Sequence, residues 1–289
     1  MSLKKRIVIY VAVLVLAAAA SLLFLYNYNQ NVTDGISKNE ASQKELSDDV
    51  EKKIAEIKKK QEDAKVVAAQ AAAAKAAEDA KNVTPETASS VSKESSKSCN
   101  ASTKHNNPAN IDVFVNKKHC ITPLSFVPSD LVTVNGATLS QKAASDFTAM
   151  FNAAAAAGQG FYVTSSYRSY SNQVSTYAHW VSVSGKDGAD TYSARPGYSE
   201  HQTGLVVDVA ANVCVLDCFG GTSQYQWLKD NSHKYGFIQR YIKGYESITG
   251  YKAEEWHYRY VGVAVAADMH SRGIKTLEDY WNMPGGGYY

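Results

Sequence analysis

The chain has 289 residues, of which 45% are hydrophobic, and its formal net charge at pH 7 is +2. This length fits one or two domains, and the composition is ordinary for a globular protein. So small a net charge gives no support for binding to DNA or RNA, and we expect no nucleic-acid partner.

The first 26 residues combine a basic cluster with a long apolar segment. Lys4, Lys5 and Arg6 precede an uncharged run that extends to residue 26. As a helix this run of about 20 residues would be about 30 Å long, enough to cross a bilayer. A cleaved signal peptide is the alternative, but the apolar run continues beyond the small residues 17–21, which favours an uncleaved anchor. We therefore predict a single-pass protein of the cell membrane, with residues 1–26 as cytoplasmic tail and anchor and the rest of the chain extracytoplasmic.

Two segments without a hydrophobic core are predicted after the anchor. Residues 27–82 contain a stretch from Lys38 to Lys81 that lacks Gly and Pro and is rich in Lys, Glu and Ala, which favours a helical spacer. Its apolar positions recur at steps of three and four, a pattern that fits either a weakly self-associating coiled coil or a solvated single helix. Residues 83–110 are rich in Ser, Thr and Asn and predict a flexible linker.

A globular domain is predicted over residues 111–289. In chain order, the pattern indicates a helix after an N-cap at Ser140, the strand "FYVTSSY", and a helix that ends before Gly185. There follow a helix in "TSQYQWLKDNSHKYG", strands in "FIQRYI" and "WHYRYVG", a helix in "VAVAADMHSRG", and a short helix opened by Thr276. Strands and helices are mixed without a regular βαβ rhythm, which predicts an α+β fold with a largely antiparallel sheet and flanking helices.

Four cysteines, Cys99, Cys120, Cys214 and Cys218, lie beyond the predicted anchor. An even count in an oxidising compartment suggests two disulfides, for which three pairings exist. We favour a local bridge between Cys214 and Cys218, which leaves Cys99 to pair with Cys120.

The segment "SEHQTGLVVDV", residues 199–209, places a histidine and an aspartate seven positions apart. An unbroken strand would send His201 and Asp208 to opposite faces. Gly204 can break the run, because glycine tolerates backbone angles that are closed to other residues. The two side chains then converge and suggest a metal site; the alternative is a surface histidine with an aspartate at a strand end.

A second segment, "AEEWHYRYVG", adds a third candidate ligand, His257. A catalytic zinc needs about three protein ligands of nitrogen or carboxylate type, and hydrolysis also needs a carboxylate base. His201, Asp208 and His257 meet the ligand count. Glu254 and Glu255 are both candidates for the base, and in a plain strand only Glu255 would share a face with His257.

Four segments together resemble a known family. "VFVNKKHCITP", "SSYRSYSNQ", "SEHQTGLVVDV" and "EEWHYRYVG" are similar, in this order, to the zinc D-alanyl-D-alanine carboxypeptidases of the VanY type, including their L,D-carboxypeptidase relatives. The resemblance covers roughly residues 111–283 and implies the D-Ala-D-Ala metallopeptidase, or hedgehog-like, fold. It implies Zn2+ as cofactor, ligated by His201, Asp208 and His257. It also implies Glu254 as general base, which requires the backbone to turn just before Trp256.

The same resemblance implies a substrate site. Arg168 matches the family's active-site arginine, and its guanidinium suits a terminal carboxylate or a developing oxyanion; a surface salt bridge is the alternative. Gln173 and Ser199 occupy family positions near the substrate. The implied reaction removes the C-terminal D-alanine from peptidoglycan stem peptides. L,D cleavage of tetrapeptide stems, endopeptidase action, and a non-catalytic wall-binding scaffold remain as alternatives.

Overall fold

The computed structural model describes residues 104–211 and 214–288 without interruption, together with isolated positions nearer the N-terminus. The chain divides into two units, residues 1–66 and residues 67–289. In the first unit the described positions are helical and exposed; they are Asn27, Gln30, Lys44, Lys52 and Lys53. Among the described residues, no helix is both long enough and apolar enough to cross a bilayer.

The predicted anchor, spacer and linker, residues 1–26, 27–82 and 83–110, lie almost entirely outside the described residues. The membrane span, the coiled coil and self-association through residues 38–81 therefore stay predictions. The same holds for the boundaries proposed for these segments.

The predicted α+β class with antiparallel strands is confirmed in the second unit. The strands are β1 (Leu131–Val134), β2 (Ala137–Ser140), β3 (Tyr162–Ser165), β4 (Val206–Ala210), β5 (Phe237–Tyr241) and β6 (Glu254–Tyr260). The helices are α1 (Gln141–Ala156), α2 (Tyr170–Asp190), α3 (Ser223–Asn231), α4 (Glu246–Thr249), α5 (Val263–Arg272) and α6 (Leu277–Trp281). Short 3-10 segments cover Glu200–Thr203, Leu216–Gly221 and Ser232–Tyr235. Strands β1 and β2 form a hairpin, and the others form an antiparallel sheet in the order β3, β4, β6, β5.

Helix α1 begins where the sequence predicted and supplies one wall of the core. The side chain of Ser140 accepts a hydrogen bond from the backbone N–H of Lys142, which satisfies one of the free donors at the helix start. Phe147 and Met150 of this helix are fully buried. The ring of Phe147 lies 6.0 Å from that of Phe237, so the helix packs directly on the sheet.

Alternation along the central strands separates the core face from the opposite face of the sheet. Val207 and Val209 in β4 belong to the same hydrophobic cluster as Phe147, as do Tyr258 and Tyr260 in β6. Side chains of a strand alternate between faces, so Asp208, His257 and Arg259 face away from α1. The titratable side chains of β4 and β6 that this alternation sets apart therefore lie on the same face of the sheet.

Helix α2 breaks at Gly185, the residue before which the sequence predicted its end. Two helical stretches, one before and one after Gly185, make up the range to Asp190, and Gly185 itself has a positive φ of 71° outside helical geometry. Glycine adopts this conformation without the penalty that a Cβ imposes, so the first stretch ends there and a second, short stretch follows.

The β1–β2 hairpin was not identified from the sequence, although its signal was present. Asn135 and Gly136 connect the two strands and both have positive φ, 47° and 80°. An Asn-Gly pair between extended segments is the strongest short-range indication of such a hairpin, because both turn positions need left-handed angles.

One of the two predicted disulfides is present among the described residues. Cys214 and Cys218 are bridged, with their Cα atoms 5.4 Å apart. Cys120 is also disulfide-bonded, while Cys99, its predicted partner, lies outside the described residues.

Candidate metal centre

His201 is placed by a tight turn, as predicted. It lies in the 3-10 segment Glu200–Thr203, which ends at Gly204 with φ 68°. A Cβ on Gly204 would lie 2.9 Å from the backbone nitrogen of Ser140, so both the angle and the close approach require glycine. The His201 Nδ1 atom lies 2.6 Å from the carbonyl oxygen of Ser166. Because a carbonyl only accepts, Nδ1 carries the proton and Nε2 keeps its lone pair.

Asp208 and His257 meet through the register of β4 and β6. They are direct partners across the antiparallel pair, and both point away from the core. Asp208 Oδ2 lies 3.2 Å from His201 Nε2, and Asp208 Oδ1 lies 3.2 Å from His257 Nδ1. The aspartate therefore stands between the two imidazoles, with one carboxylate oxygen toward each.

Glu254 joins this group because β6 is irregular at its start. The pairing of β6 with β5 shifts register near the end of β5, so that β6 carries extra residues opposite that point. As a result Glu254 and His257 are both buried, whereas Glu255 and Trp256 between them are partly exposed. Glu254 Oε2 lies 3.3 Å from His257 Nδ1. A plain strand could not have placed these two side chains together. The resemblance implied a turn of the backbone just before Trp256; in the structure β6 already begins at Glu254, and the irregular pairing takes the place of a full turn.

Glu255 points elsewhere. Its side chain packs against the 3-10 segment Leu216–Gly221, where a Cβ on Gly220 would lie 2.9 Å from Glu255 Cγ. Of the two candidate bases, only Glu254 therefore lies beside the histidines.

The electrostatics of the group favour a positive charge between the carboxylates. Burial alone would raise the pKa of Asp208, but His201 and His257 outweigh it and hold the pKa well below its ordinary value. Burial alone would lower the pKa of His257, but Asp208, Glu200 and Glu254 raise it well above its ordinary value. Burial raises the pKa of Glu254 and lowers that of His201. The raised pKa of His257 reflects the surplus of negative charge around it, which a divalent cation in the same place would balance.

The residues present fit a zinc ion. One ligand atom from each of His201, Asp208 and His257 lies within 4.8 Å of the other two. In a tetrahedral zinc site with bonds of about 2.0–2.2 Å, the ligand atoms are about 3.3–3.6 Å apart. Each imidazole has one Asp208 oxygen near that distance, at 3.2 Å: Oδ2 for His201 and Oδ1 for His257. Asp208 Oδ1 is buried, and apart from the nearby His257 Nδ1 it has no hydrogen-bond partner among the described residues, a costly state that a bound cation would relieve.

Arg168 lies at the edge of the same group. Its guanidinium donates to Gln173 Oε1 at 3.0 Å and to Ser165 Oγ at 2.8 Å, and its backbone N–H donates to the carbonyl of His201. Burial lowers its pKa, while Asp208 and Glu254 oppose that effect, so the side chain stays cationic. The alternative interpretation, a surface salt bridge, does not describe these contacts of Arg168.

Gln173 and Ser199 have positions that differ from simple substrate contacts. Gln173 is buried, and its amide nitrogen donates to the carbonyl of Ala194 at 2.7 Å while its oxygen accepts from Arg168. The amide oxygen thus holds Arg168, while the amide nitrogen is anchored to the backbone. Ser199 is buried at the N-cap of the turn that carries His201. Direct contact of either residue with substrate stays a prediction.

A buried ionic network behind the histidines was missed by sequence reasoning. Glu200 Oε1 accepts from Arg240 Nε and from Arg259 Nη1, both at 2.9 Å. Arg240 also donates two hydrogen bonds, 2.8 and 2.9 Å long, to the carboxylate of Glu278. The available signal was an arginine within each of the predicted strands "FIQRYI" and "WHYRYVG", because a buried arginine requires a carboxylate partner.

Comparison with known proteins gives a consistent match. The family described as VanY, D-alanyl-D-alanine carboxypeptidase, matches residues 136–263. The putative carboxypeptidase YodJ of Bacillus subtilis is 38% identical over 188 residues, which cover 61% of this chain and 68% of that protein. A D-alanyl-D-alanine carboxypeptidase of Enterococcus faecalis is 39% identical over 142 residues, which cover 46% of this chain but only 52% of that protein.

Solved structures agree with the sequence matches. The LdcB LD-carboxypeptidase, whose structure was described as revealing the basis of peptidoglycan recognition, is 38% identical with a TM-score of 0.56, covering 62% of this chain and 89% of that one. The vancomycin resistance D,D-pentapeptidase VanY, solved in complex with Zn(II), is 33% identical with a TM-score of 0.52, covering 59% of this chain and 98% of that one. The zinc ion in that relative agrees with the predicted cofactor, Zn2+.

Proposed function

Because the chain belongs to the VanY family of D-alanyl-D-alanine carboxypeptidases, we propose that it is a zinc-dependent carboxypeptidase that removes the C-terminal D-alanine from peptidoglycan stem peptides. The observation that carries the proposal is the convergence of His201, Asp208 and His257, with Glu254 3.3 Å from His257 Nδ1. Two imidazoles and a carboxylate form a ligand set of the catalytic zinc type, and a further carboxylate beside them is placed to act as a base.

In this proposal the residues have separate roles. His201 Nε2, Asp208 and His257 Nδ1 would hold the zinc ion, which when bound would act as a Lewis acid that polarises a carbonyl and lowers the pKa of water. Glu254 takes a proton from the attacking water while the water oxygen bonds to the scissile carbonyl carbon. Glu254 then returns that proton to the leaving amine as the C–N bond breaks, so a carboxylate and a free amino acid result.

Arg168 supplies selectivity for a chain end. A guanidinium binds a carboxylate through paired hydrogen bonds, and only the last residue of a peptide carries a free α-carboxylate. Its position beside Asp208 and Glu254 supports cleavage at the terminal bond and therefore a carboxypeptidase instead of an endopeptidase.

The second candidate is L,D-carboxypeptidase action on tetrapeptide stems, which is favoured by the 38% identity to the LdcB LD-carboxypeptidase. Incubation of the full-length protein with a defined pentapeptide stem and a defined tetrapeptide stem, followed by mass spectrometry, separates the two. Our proposal expects loss of one alanine from the pentapeptide and an unchanged tetrapeptide. Conversion of the tetrapeptide to a tripeptide would favour the second candidate, and cleavage of neither would contradict both.

The proposal places this chemistry outside the cell membrane, where stem peptides occur. The uncharged run that ends at residue 26 would hold the protein at the membrane, and the disulfide between Cys214 and Cys218 suits an oxidising compartment. Protease accessibility of the domain on intact cells tests this location; protection of the domain until the cells are lysed would contradict it.

Substitution Arg168→Lys tests the carboxylate contact. Lysine keeps the charge but loses the planar fork and the bonds to Gln173 and Ser165. Because a hydrogen bond to a charged group contributes about 1.5–3 kcal/mol, we expect kcat/KM to fall by about 10- to 100-fold, mainly through a higher KM. Steady-state kinetics on the free-acid peptide and on its C-terminal amide measure the effect.

The amide comparison decides the outcome. The unsubstituted enzyme should prefer the free acid strongly, and Arg168→Lys should lose most of that preference. Arg272→Lys is a matched control, since Arg272 is exposed and paired only with Asp268 among its described contacts of this kind. Equal cleavage of acid and amide by the unsubstituted enzyme would contradict the assigned role of Arg168.

A further inference from the structure

Two buried polar atoms behind the metal centre face each other. Glu200 Oε2 lies 3.4 Å from His257 Nε2. Neither atom has another hydrogen-bond partner among the described residues, and both side chains are buried. An unpaired polar atom at such depth is costly. The close approach of Glu200 Oε2 and His257 Nε2 therefore calls for an explanation.

The other ring nitrogen of His257 determines what Nε2 must carry. His257 Nδ1 faces Asp208 Oδ1 at 3.2 Å and Glu254 Oε2 at 3.3 Å, so Nδ1 is the atom that points into the metal centre. A neutral imidazole holds one N–H and one lone pair. When Nδ1 ligates a metal through its lone pair, Nε2 carries the proton and needs an acceptor at its buried position.

The only carboxylate oxygen that the described residues bring to Nε2 belongs to Glu200. Arg240 Nε and Arg259 Nη1 both donate to Oε1 of that glutamate, so Oε2 stays free to accept. Neutralising the two arginines does not require Oε2 to point at the histidine.

The arginines are themselves fixed. Arg240 donates two hydrogen bonds to the carboxylate of Glu278, and Arg259 Nη2 donates to the carbonyls of Ile111 and Val113 at 3.0 and 2.7 Å. Both guanidiniums are fully buried. The carboxylate of Glu200 is therefore clamped in one orientation by groups that cannot move without losing several bonds.

We propose that Glu200 is a positioning residue for the metal centre: its Oε2 atom accepts the Nε2–H of His257, and so fixes the tautomer and ring orientation in which Nδ1 ligates the zinc ion. The inference rests on the proposed function, because it assumes that this centre binds zinc. Acceptors of this kind orient metal-bound histidines and raise their basicity, and their removal typically weakens metal affinity by about 10- to 100-fold.

Substitution Glu200→Gln tests the inference because the geometry dictates which way the amide turns. The amide oxygen must replace Oε1, where Arg240 and Arg259 both donate. Its NH2 group then faces His257 Nε2 as a donor and forces the imidazole toward the tautomer with the proton on Nδ1. Since that tautomer cannot ligate through Nδ1, we expect the zinc dissociation constant, measured by chelator competition on the full-length protein, to rise about 10- to 100-fold.

Glu278→Gln is the matched control. It removes the same charge from the same arginine, Arg240, but Glu278 does not approach His257. A purely structural role for Glu200 would make the two variants alike, with similar losses of thermal stability in the metal-free protein and similar zinc affinity. The inference expects a comparable loss of stability in both variants and weaker zinc binding only in Glu200→Gln.

A measurement on the unsubstituted protein covers the case in which Glu200→Gln does not fold. ¹⁵N NMR of histidine-labelled, zinc-loaded protein should show His257 protonated at Nε2 and ligating through Nδ1, and His201 in the opposite state because its Nδ1 faces a carbonyl. A His257 protonated at Nδ1, or equal zinc affinity of Glu200→Gln and the unsubstituted protein, would overturn the inference while leaving the proposed function standing. Absence of zinc binding by the unsubstituted protein would overturn both.

Discussion

Substitution Glu254→Gln is expected to lower kcat for stem-peptide trimming by about 10²- to 10⁴-fold while zinc binding is retained. Glutamine has nearly the same shape and can still form hydrogen bonds, but its amide cannot accept a proton from water. His201, Asp208 and His257 are unchanged in this variant, so the metal centre stays complete. Rates come from mass spectrometry of released alanine, and zinc content comes from elemental analysis of the same preparation.

Glu255→Gln is the matched control for this prediction. Glu255 precedes Trp256 in the same strand but packs against the segment Leu216–Gly221. We expect its activity to remain close to that of the unsubstituted enzyme. Full activity of Glu254→Gln with zinc bound, or a loss of activity in Glu255→Gln alone, would show that the base has been assigned to the wrong glutamate. A wall-binding scaffold would be favoured only if the unsubstituted protein itself trimmed no stem peptide.

Substitution Asp208→Ala is expected to remove both zinc binding and activity. Asp208 places one oxygen near each imidazole, so its loss leaves two histidines that must share the cation without a charged ligand. Removal of an outer partner of a metal ligand already costs about 10- to 100-fold in affinity, and removal of a ligand should exceed that range. Chelator competition measures the affinity, and the trimming assay measures the activity.

Thermal unfolding gives an independent measure of the same change. A ligand that binds only the folded state adds about 2.7 kcal/mol to stability at a concentration of 100 times its Kd. Added zinc should therefore raise the Tm of the unsubstituted, chelator-treated protein and leave that of Asp208→Ala unchanged. Asp268→Ala is the control, since Asp268 lies on the surface and pairs with Arg272. An equal rise in Tm for Asp208→Ala would place the zinc ion at another site.

The buried network around Glu200 explains why such variants need a stability control. Glu200, Glu278, Arg240 and Arg259 balance in charge, and each is almost completely buried. Replacing one member leaves a buried charge without its partner, which is usually strongly destabilising, by about 3–5 kcal/mol. A loss of activity in any of these four variants is therefore informative only beside a measurement of folding.

Much of the local structure could be predicted because it depends on near neighbours in the chain. Ser140 caps α1 through a hydrogen bond to Lys142, and Thr276 caps α6 through the N–H of Asp279. Gly204 breaks the segment between His201 and Asp208 because its backbone angle is left-handed. The Asn135-Gly136 hairpin was equally local, and it was missed although the Asn-Gly pair indicates a hairpin.

The choice between the two candidate bases was not local. Alternation in a plain strand would have placed Glu255 beside His257, and family resemblance was needed to favour Glu254. Glu254 lies beside His257 because the register shifts between β5 and β6. This shift is a property of the pairing of two strands and not of the residues of β6 alone.

From the amino-acid sequence by itself came the class of fold, the two segments that carry the metal ligands, and the residue types from which the metal and the reaction were inferred. The tertiary structure alone decided which glutamate lies beside His257, which nitrogen of each imidazole faces the centre, and that Glu200 stands behind it. Glu200 and Arg259 are 59 positions apart in the chain. Such contacts depend on strand register and on the pairing of buried charges. Both bring together residues that are distant in the chain and meet only after it has folded, so no short-range pattern could have revealed them.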